Sequence, residues 1–161
     1  MVFGCRLIEN ETPHQAGRAL LAALYLQHTG QPLPPILTTE RGKPYFENDP
    51  VYFSISHTRR HAFVALSDRP VGIDAEELDR KADLRLAQKI LSPGEMVQFQ
   101  AATDKNKALL TFWVLKEALV KCTGEGLRGY PNHTNFSLED PRVFEHGGCI
   151  VAIIEEDHHA V

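Results

Sequence analysis

The chain has 161 residues, enough for one compact domain or for two small lobes that share a boundary, and too few for two independent enzymes. Its 43% hydrophobic and 24% charged residues are typical of a globular protein and exclude global disorder. Because 17 lysines and arginines face 21 aspartates and glutamates, the net charge is −4, and any site for a phosphate-rich ligand must be a local basic patch.

The spacing of the cysteines and the shortness of the apolar stretches indicate in which cellular compartment the protein lies. Cys5, Cys122 and Cys149 show no CxxC spacing, which excludes a disulfide framework and, from these residues alone, a structural zinc site. No stretch approaches the roughly 20 apolar residues that span a bilayer, and the N-terminus lacks the pattern of a signal peptide. We therefore expect a cytoplasmic protein with neither membrane nor nucleic acid as a partner.

The first half of the chain predicts a helix followed by three strands. The helix covers about residues 13–28 and stops at Gly30, after which a proline-rich loop follows. Alternating apolar and polar residues predict a half-buried strand at 51–56 and its hairpin partner at 61–67, and a third short strand at 71–76.

The second half predicts helices and a closing hairpin. Residues 92–95 begin a helix, with Ser92 as the N-cap and Glu95 completing a capping box. An unusually apolar helix at 105–122 ends at Gly124, and residues 142–145 and 149–154 form a hairpin. The order of elements predicts an α+β fold.

Two carboxylates on the third strand point to a metal. Residues two apart on a strand share a face, so Asp74 and Glu76 project together about 6.5–7 Å apart, while Ile73 and Ala75 face the other way. Like charges this close repel unless a positive group lies between them, and oxygen ligands suit a hard divalent cation. The alternative is a solvated strand end.

The apolar helix carries a second candidate group. Trp113, Glu117 and Lys121 are spaced by four and share one stripe. An ordinary surface Glu-to-Lys pair, worth about 0.3–0.5 kcal/mol, is one explanation. A functional role is supported to the same degree as this structural explanation. The surrounding sequence is apolar, and burying the charges of Glu117, Lys116 and Lys121 is costly unless each finds a partner or an ion.

A third group lies at the predicted hairpin corner. Ser56 and His57 are adjacent on a strand and face opposite ways, which argues against a Ser-His nucleophile pair. Followed by Arg59 and Arg60, they are suited to contact a phosphate, although a polar hairpin corner would look the same.

Two further patterns have simpler explanations. Residues 124–129 match the dinucleotide fingerprint GxGxxG. They follow a helix rather than a strand, so the sequence around them does not support a nucleotide-binding site. The capping box already accounts for Glu95, and a catalytic role for this carboxylate stays open.

Four segments together carry a resemblance to a known family. In order and rough spacing, the chain resembles the 4′-phosphopantetheinyl transferases of the surfactin-synthetase-activating type, as a short member. The segments are Gly42-Lys43-Pro44, Phe53-Ser54-Ile55-Ser56-His57-Thr58, Gly72-Ile73-Asp74-Ala75-Glu76 and Trp113-Val114-Leu115-Lys116-Glu117-Ala118-Leu119-Val120-Lys121.

The resemblance implies a fold and a reaction. The fold would consist of two pseudo-symmetry-related lobes, 1–69 and 70–161, each a small antiparallel sheet packed against helices, in a monomer with an internal pseudo-dimer. The reaction would move the 4′-phosphopantetheine group of coenzyme A to a serine of an apo acyl, polyketide or peptidyl carrier protein, releasing adenosine 3′,5′-bisphosphate. Such transfers serve fatty acid, polyketide and nonribosomal peptide biosynthesis.

The resemblance also implies roles for individual residues. Asp74, Glu76 and Glu117 would hold Mg²⁺, with Mn²⁺ as an alternative. Glu117 would act as the base for the carrier serine, and Lys121 would stabilise the departing bisphosphate. The positions implied to contact coenzyme A are Lys43, Pro44, Ser56, His57, Arg60, Lys116 and Lys121. The competing function is a coenzyme A or carrier-protein binding module without turnover.

Overall fold

The computed structural model describes residues 1–126 and 134–157. Within these residues, the strands are β1 (Val2–Leu7), β2 (Ile36–Thr38), β3 (Pro44–Phe46), β4 (Tyr52–His57), β5 (His61–Ser67), β6 (Val71–Glu77), β7 (Val143–His146) and β8 (Cys149–Glu155). The helices are α1 (Pro13–Thr29), α2 (Ala87–Ile90), α3 (Pro93–Ala101) and α4 (Lys105–Thr123), with a 3-10 turn at Leu84–Leu86. The predicted α+β fold of small antiparallel sheets and helices is confirmed.

Two three-stranded antiparallel sheets organise the fold. The N-terminal sheet has the order β1-β5-β4 and the C-terminal sheet has the order β6-β8-β7, while β2 and β3 form a separate hairpin. Phe63 of β5 and Ile73 of β6 belong to one buried cluster, which packs the two sheets against each other. The helix α1 covers the outer face of the N-terminal sheet, and α4 covers the C-terminal sheet.

The helix boundaries follow their local signals. The side chains of Thr12 and Gln15 form a capping box at the start of α1, and Gly30 ends it in the left-handed conformation at φ 72°. Ser92 and Glu95 form the predicted capping box of α3. None of the helices in the described residues combines the length and apolar character needed to cross a bilayer.

Local sequence patterns do not predict three of the described strands. β1 lies at a sheet edge, where it pairs with β5 from Val2↔Leu66 to Leu7↔His61, and its side chains show no alternation of buried and exposed positions. β2 and β3 have only three residues each, and they flank the turn at Gly42, whose φ is 88°. β1 is defined by a pairing partner distant in sequence, whereas β2 and β3 are too short to show a period and pair with each other across their turn.

One buried carboxylate ties the β4–β5 corner to the end of β6. The carboxylate of Glu77 accepts hydrogen bonds from the Thr58 hydroxyl at 2.6 Å and from the Arg60 guanidinium at 2.7 and 3.1 Å. Burial alone would raise the pKa of Glu77, but hydrogen bonds from Arg60, Thr58 and His61 outweigh it and lower the pKa to about 2. The ionised form of Glu77 therefore stabilises the contact between the two sheets.

This contact predicts an acid-dependent loss of stability. Because the pKa of Glu77 is about 2 in the folded state and 4.5 ordinarily, its contribution is complete above pH 4.5 and is lost as the pH falls toward 2. The wild type should lose about 2 kcal/mol more unfolding free energy over this range than Glu77→Gln, allowing for the half-exposed Arg60. Urea unfolding at a series of pH values measures it.

Asp79→Asn is the matched control, because Asp79 also pairs with Arg60 but is mostly exposed. This variant should keep the pH dependence of the wild type. A Glu77→Gln variant with an unchanged pH dependence would contradict the assignment.

Candidate active site

The site depends on a close approach between β6 and α4. A Cβ atom added at Gly72 would lie 1.9 Å from the carbonyl oxygen of Ala118 and 2.5 Å from the amide nitrogen of Cys122. Only glycine allows the strand to lie this near the helix backbone. The approach brings the carboxylate strand alongside the helical stripe that carries Glu117 and Lys121.

Three carboxylates share one electrostatic environment at this contact. Asp74 is 8% exposed, and its Oδ1 accepts hydrogen bonds from Lys121 Nζ at 2.8 Å and from Ser56 Oγ at 3.1 Å. Glu76 pairs with Arg80. Burial raises the pKa of Glu117, and the charges of Asp74 and Glu76 raise it further against the opposing effect of Lys121.

The donor chemistry at this point fits a hard divalent cation. Mg²⁺ binds carboxylate oxygens together with water and phosphate oxygens. Burial is the main cause of the raised pKa of Glu117, and the charges of Asp74 and Glu76 add to it. Within residues 1–126 and 134–157 the three carboxylates are not gathered within 4.8 Å of one another, and Lys121 and Arg80 each hold one of them. Metal binding would require these two cations to change partners.

Three residues predicted to contact coenzyme A line one cavity of about 260 Å³. These residues are Lys43, Pro44 and Lys121. Burial lowers the pKa of Lys43, and its ammonium donates a hydrogen bond to the carbonyl oxygen of Cys122, near the end of α4. Gly124 and Gly126 also line this cavity, whereas residues 127–129 of the GxGxxG match lie outside the described residues.

A second, more open cavity of about 680 Å³ lies beside the carboxylate strand. His57 and Glu76 line it together with Arg59, Arg80 and Lys81. Arg80 and Lys81 were not among the residues predicted from the sequence, although two basic residues shortly after a carboxylate strand are a signal that could have identified them. Glu76, Glu77 and Asp79 also line this cavity, so basic and acidic side chains are mixed there.

Some predicted residues have other contacts. Ser56 donates to Asp74 and accepts from the Ala75 amide, so its hydroxyl orients a carboxylate. The Arg60 guanidinium pairs with Glu77 and Asp79.

Lys116 departs most from its expected place. It is fully buried, and its Nζ lies 2.9 Å from Glu95, which is also fully buried. The Glu95 carboxylate further accepts the amides of Ser92 and Phe136. A buried ammonium paired in this way does not reach a phosphate in a solvent-filled cleft, so the arrangement does not support a contact of Lys116 with coenzyme A.

Comparison with known proteins identifies relatives for these elements. The family model described as the 4′-phosphopantetheinyl transferase superfamily matches residues 70–155, which include β6, α4 and β8. Over 114 residues the chain is 38% identical to the 4′-phosphopantetheinyl transferase AcpT of Escherichia coli (strain K12), covering 68% of this chain and 56% of that protein. It is 32% identical over 122 residues to the 4′-phosphopantetheinyl transferase psf-1 of Bacillus pumilus, covering 70% of this chain and 52% of that protein.

The match to a third relative covers a smaller share of both chains. The chain is 31% identical over 90 residues to the 4′-phosphopantetheinyl transferase gsp of Aneurinibacillus migulanus, covering 55% of this chain and 37% of that protein. The chain therefore spans about half the length, or less, of the curated relatives it matches.

The approach at Gly72 predicts a severe effect of one methyl group. Gly72→Ala should lose at least about 3 kcal/mol of unfolding free energy, because its Cβ meets backbone atoms that cannot rotate away. Gly4→Ala is the control, since its Cβ meets only the ends of the Leu20 and Leu24 side chains, and it should lose less than about 1 kcal/mol. Urea unfolding compares the two, and equal stability of Gly72→Ala and the wild type would contradict the required approach.

The buried Lys116–Glu95 pair predicts a second stability effect. Lys116→Met should cost about 3–5 kcal/mol, because it leaves the Glu95 carboxylate buried without its cation. Adding Glu95→Gln should recover part of this loss, so that the double variant loses less than the sum of the single variants. Lys107→Met, which removes an exposed pair with Glu145, should cost less than about 1 kcal/mol. Chemical unfolding of the wild type, the two single variants, the double variant and Lys107→Met tests the set, and additive losses would refute the pairing.

Proposed function

The chain belongs to the 4′-phosphopantetheinyl transferase superfamily, and we propose that it transfers the 4′-phosphopantetheine group of coenzyme A to a serine of an apo carrier protein of acyl, polyketide or peptidyl type. The products are the holo carrier and adenosine 3′,5′-bisphosphate. The observation that carries the proposal is that the family match covers β6 and α4, which carry Asp74, Glu76, Glu117 and Lys121. Lys121 and Glu76 each line a cavity that also has basic residues in its lining.

Asp74, Glu76 and Glu117 are the residues that would hold Mg²⁺, with Mn²⁺ as the alternative ion. When bound, the cation would neutralise charge on the pyrophosphate of coenzyme A. The ion pairs of Asp74 with Lys121 and of Glu76 with Arg80 support an exchange of partners. Lys121 and Arg80 can turn to phosphate oxygens, which leaves the carboxylates to the metal and keeps every charge paired.

Glu117 is the proposed base, acting directly or through a water molecule. Its carboxylate accepts the proton of the carrier serine hydroxyl while the serine oxygen forms a bond to the pantetheine-side phosphorus. The bond from that phosphorus to the oxygen of the leaving bisphosphate breaks. Burial, first, and the charge of Asp74 raise the pKa of Glu117.

Cations around the two cavities are proposed to bind coenzyme A. Lys121 donates to the departing bisphosphate, and Lys43 and Pro44 line the smaller cavity into which part of coenzyme A would enter. His57 is exposed and lines the larger cavity, where it can contact phosphate. Ser56 contributes by orienting Asp74, and Arg60 contributes through the corner that it holds against Glu77.

The proposal also includes the lobe boundaries, the oligomeric state and the cellular location of the protein. We propose lobes at 1–69 and 70–161, supported by the N-terminal sheet using only strands before residue 69 and the C-terminal sheet only strands after 70. We further propose a cytoplasmic monomer whose two lobes form a pseudo-dimer.

Transfer can be measured as a gain in carrier mass. Incubation with coenzyme A, Mg²⁺ and an apo carrier should add one phosphopantetheine group, and removal of Mg²⁺ by a chelator should stop the reaction. Glu117→Gln and Asp74→Asn should each lower the rate at least about 100-fold, because the first loses the base and both lose a metal ligand. Circular dichroism checks that the variants fold.

Glu145→Gln, which changes an exposed carboxylate that pairs with Lys107, is the matched control and should keep the wild-type rate. Full activity of Asp74→Asn or Glu117→Gln would overturn the residue roles. Calorimetric binding of coenzyme A without any transfer across carriers of all three types would favour the binding module instead.

A further inference from the structure

A second group of metal-ligating side chains lies outside the proposed catalytic site. His61 begins β5, Glu77 ends β6 and Cys149 begins β8. Glu77 and Cys149 are directly paired in the register of the C-terminal sheet, so their side chains share a face, and His61 reaches them from the N-terminal sheet. All three residues are buried, with exposed fractions of 8%, 5% and 0% in that order.

Two of the three separations among the ligand atoms match the edges of a metal-centred tetrahedron. His61 Nδ1 lies 3.4 Å from Glu77 Oε1 and 3.5 Å from Cys149 Sγ, and all three atoms lie within 4.8 Å of one another. Zinc bonds of about 2.0–2.3 Å place tetrahedral ligands about 3.3–3.7 Å apart along each edge, which agrees with both of these distances.

Neighbouring groups orient two of these ligands. The Thr58 hydroxyl donates to Glu77 Oε1 at 2.6 Å, and the Arg60 guanidinium holds the other carboxylate oxygen, Oε2. On the far side of the imidazole, a Cβ added at Gly147 would lie 3.4 Å from His61 Nε2, so the β7–β8 turn packs closely on the ring. Outer groups that fix ligand orientation in this way are usual at protein metal sites.

We infer that His61 Nδ1, Glu77 Oε1 and Cys149 Sγ bind one Zn²⁺ ion, which joins the N-terminal and C-terminal sheets. The fourth ligand is a water oxygen. The thiol loses its proton on binding, and one thiolate and one carboxylate then balance the charge of the dication in a buried position. Mixed nitrogen, sulfur and oxygen donors select zinc over magnesium, which separates this site from the three carboxylates of the catalytic site.

Cobalt provides a probe that detects the thiolate itself. The full chain is freed of metal with a chelator, kept reduced and titrated with Co²⁺, and the thiolate-to-cobalt charge-transfer band is followed. Zn²⁺ then displaces Co²⁺ in competition, and elemental analysis after removal of free metal gives the stoichiometry. We expect the band, its loss on addition of Zn²⁺ and one zinc ion per chain.

Variants locate the ion. Cys149→Ser should abolish the band and weaken Zn²⁺ binding at least about tenfold. Cys122→Ser is the matched control, because Cys122 is equally buried but donates to the carbonyl oxygen of Pro70, and it should behave as the wild type. Asp74→Asn should also keep the band, since the catalytic carboxylates offer no sulfur.

The absence of the band and of stoichiometric zinc in the wild type would overturn the inference, as would a Cys149→Ser variant with unchanged Zn²⁺ affinity. If Cys149→Ser does not fold, His61→Gln replaces it, and unchanged Zn²⁺ affinity of that variant is equally contradictory. None of these measurements uses coenzyme A or a carrier protein, so the zinc site and the proposed transfer succeed or fail separately.

Discussion

The absence of a side chain at Gly72 is the constraint on which the proposed site depends. It allows β6 to lie against the backbone of α4, with no room for a methyl group between the strand and Ala118. Asp74 and Glu76 follow within the same strand, and Glu117 and Lys121 lie on the facing helix. The carboxylates and the ammonium therefore interact because two backbones meet, and a wider spacing would separate the charges.

Two neighbouring positions of α4 show how burial decides the role of a charge. Lys116 is fully enclosed and forms an ion pair with Glu95, which also caps α3 and binds the amide of Phe136. Glu117, the next residue, is only half-buried and faces the carboxylates of β6. The first residue joins elements of the fold, whereas the second stays partly exposed, as the proposed role of Glu117 requires.

The contact between the sheets is polar at one end and apolar along the rest. Phe63, Ile73 and Val151 fill the apolar part. At the other end, Glu77 accepts hydrogen bonds from Thr58 and Arg60 and lies beside the imidazole of His61. This end follows directly after the proposed catalytic strand residue Glu76, so a rigid junction there also holds the carboxylate strand in register.

Local interactions explain what the sequence by itself determined. Gly30 ends α1 and the Ser92–Glu95 box begins α3, because caps involve residues within one turn. Strand periodicity likewise placed Asp74 and Glu76 on one face. The four segments that carry the family resemblance also lie in the sequence itself, so the resemblance does not depend on any tertiary contact.

Only the tertiary structure decided which partners the remaining groups have. β1 forms a strand because β5 pairs with it. Lys116 can be buried because Glu95, on another helix, forms an ion pair with it. His61, Glu77 and Cys149 meet although 88 residues separate the first from the last. Such contacts join segments that are remote along the chain, and neither helical nor strand periodicity carries information about them. Their energies arise from burial and charge pairing in the assembled fold, and these become defined only when both sheets and α4 are packed together.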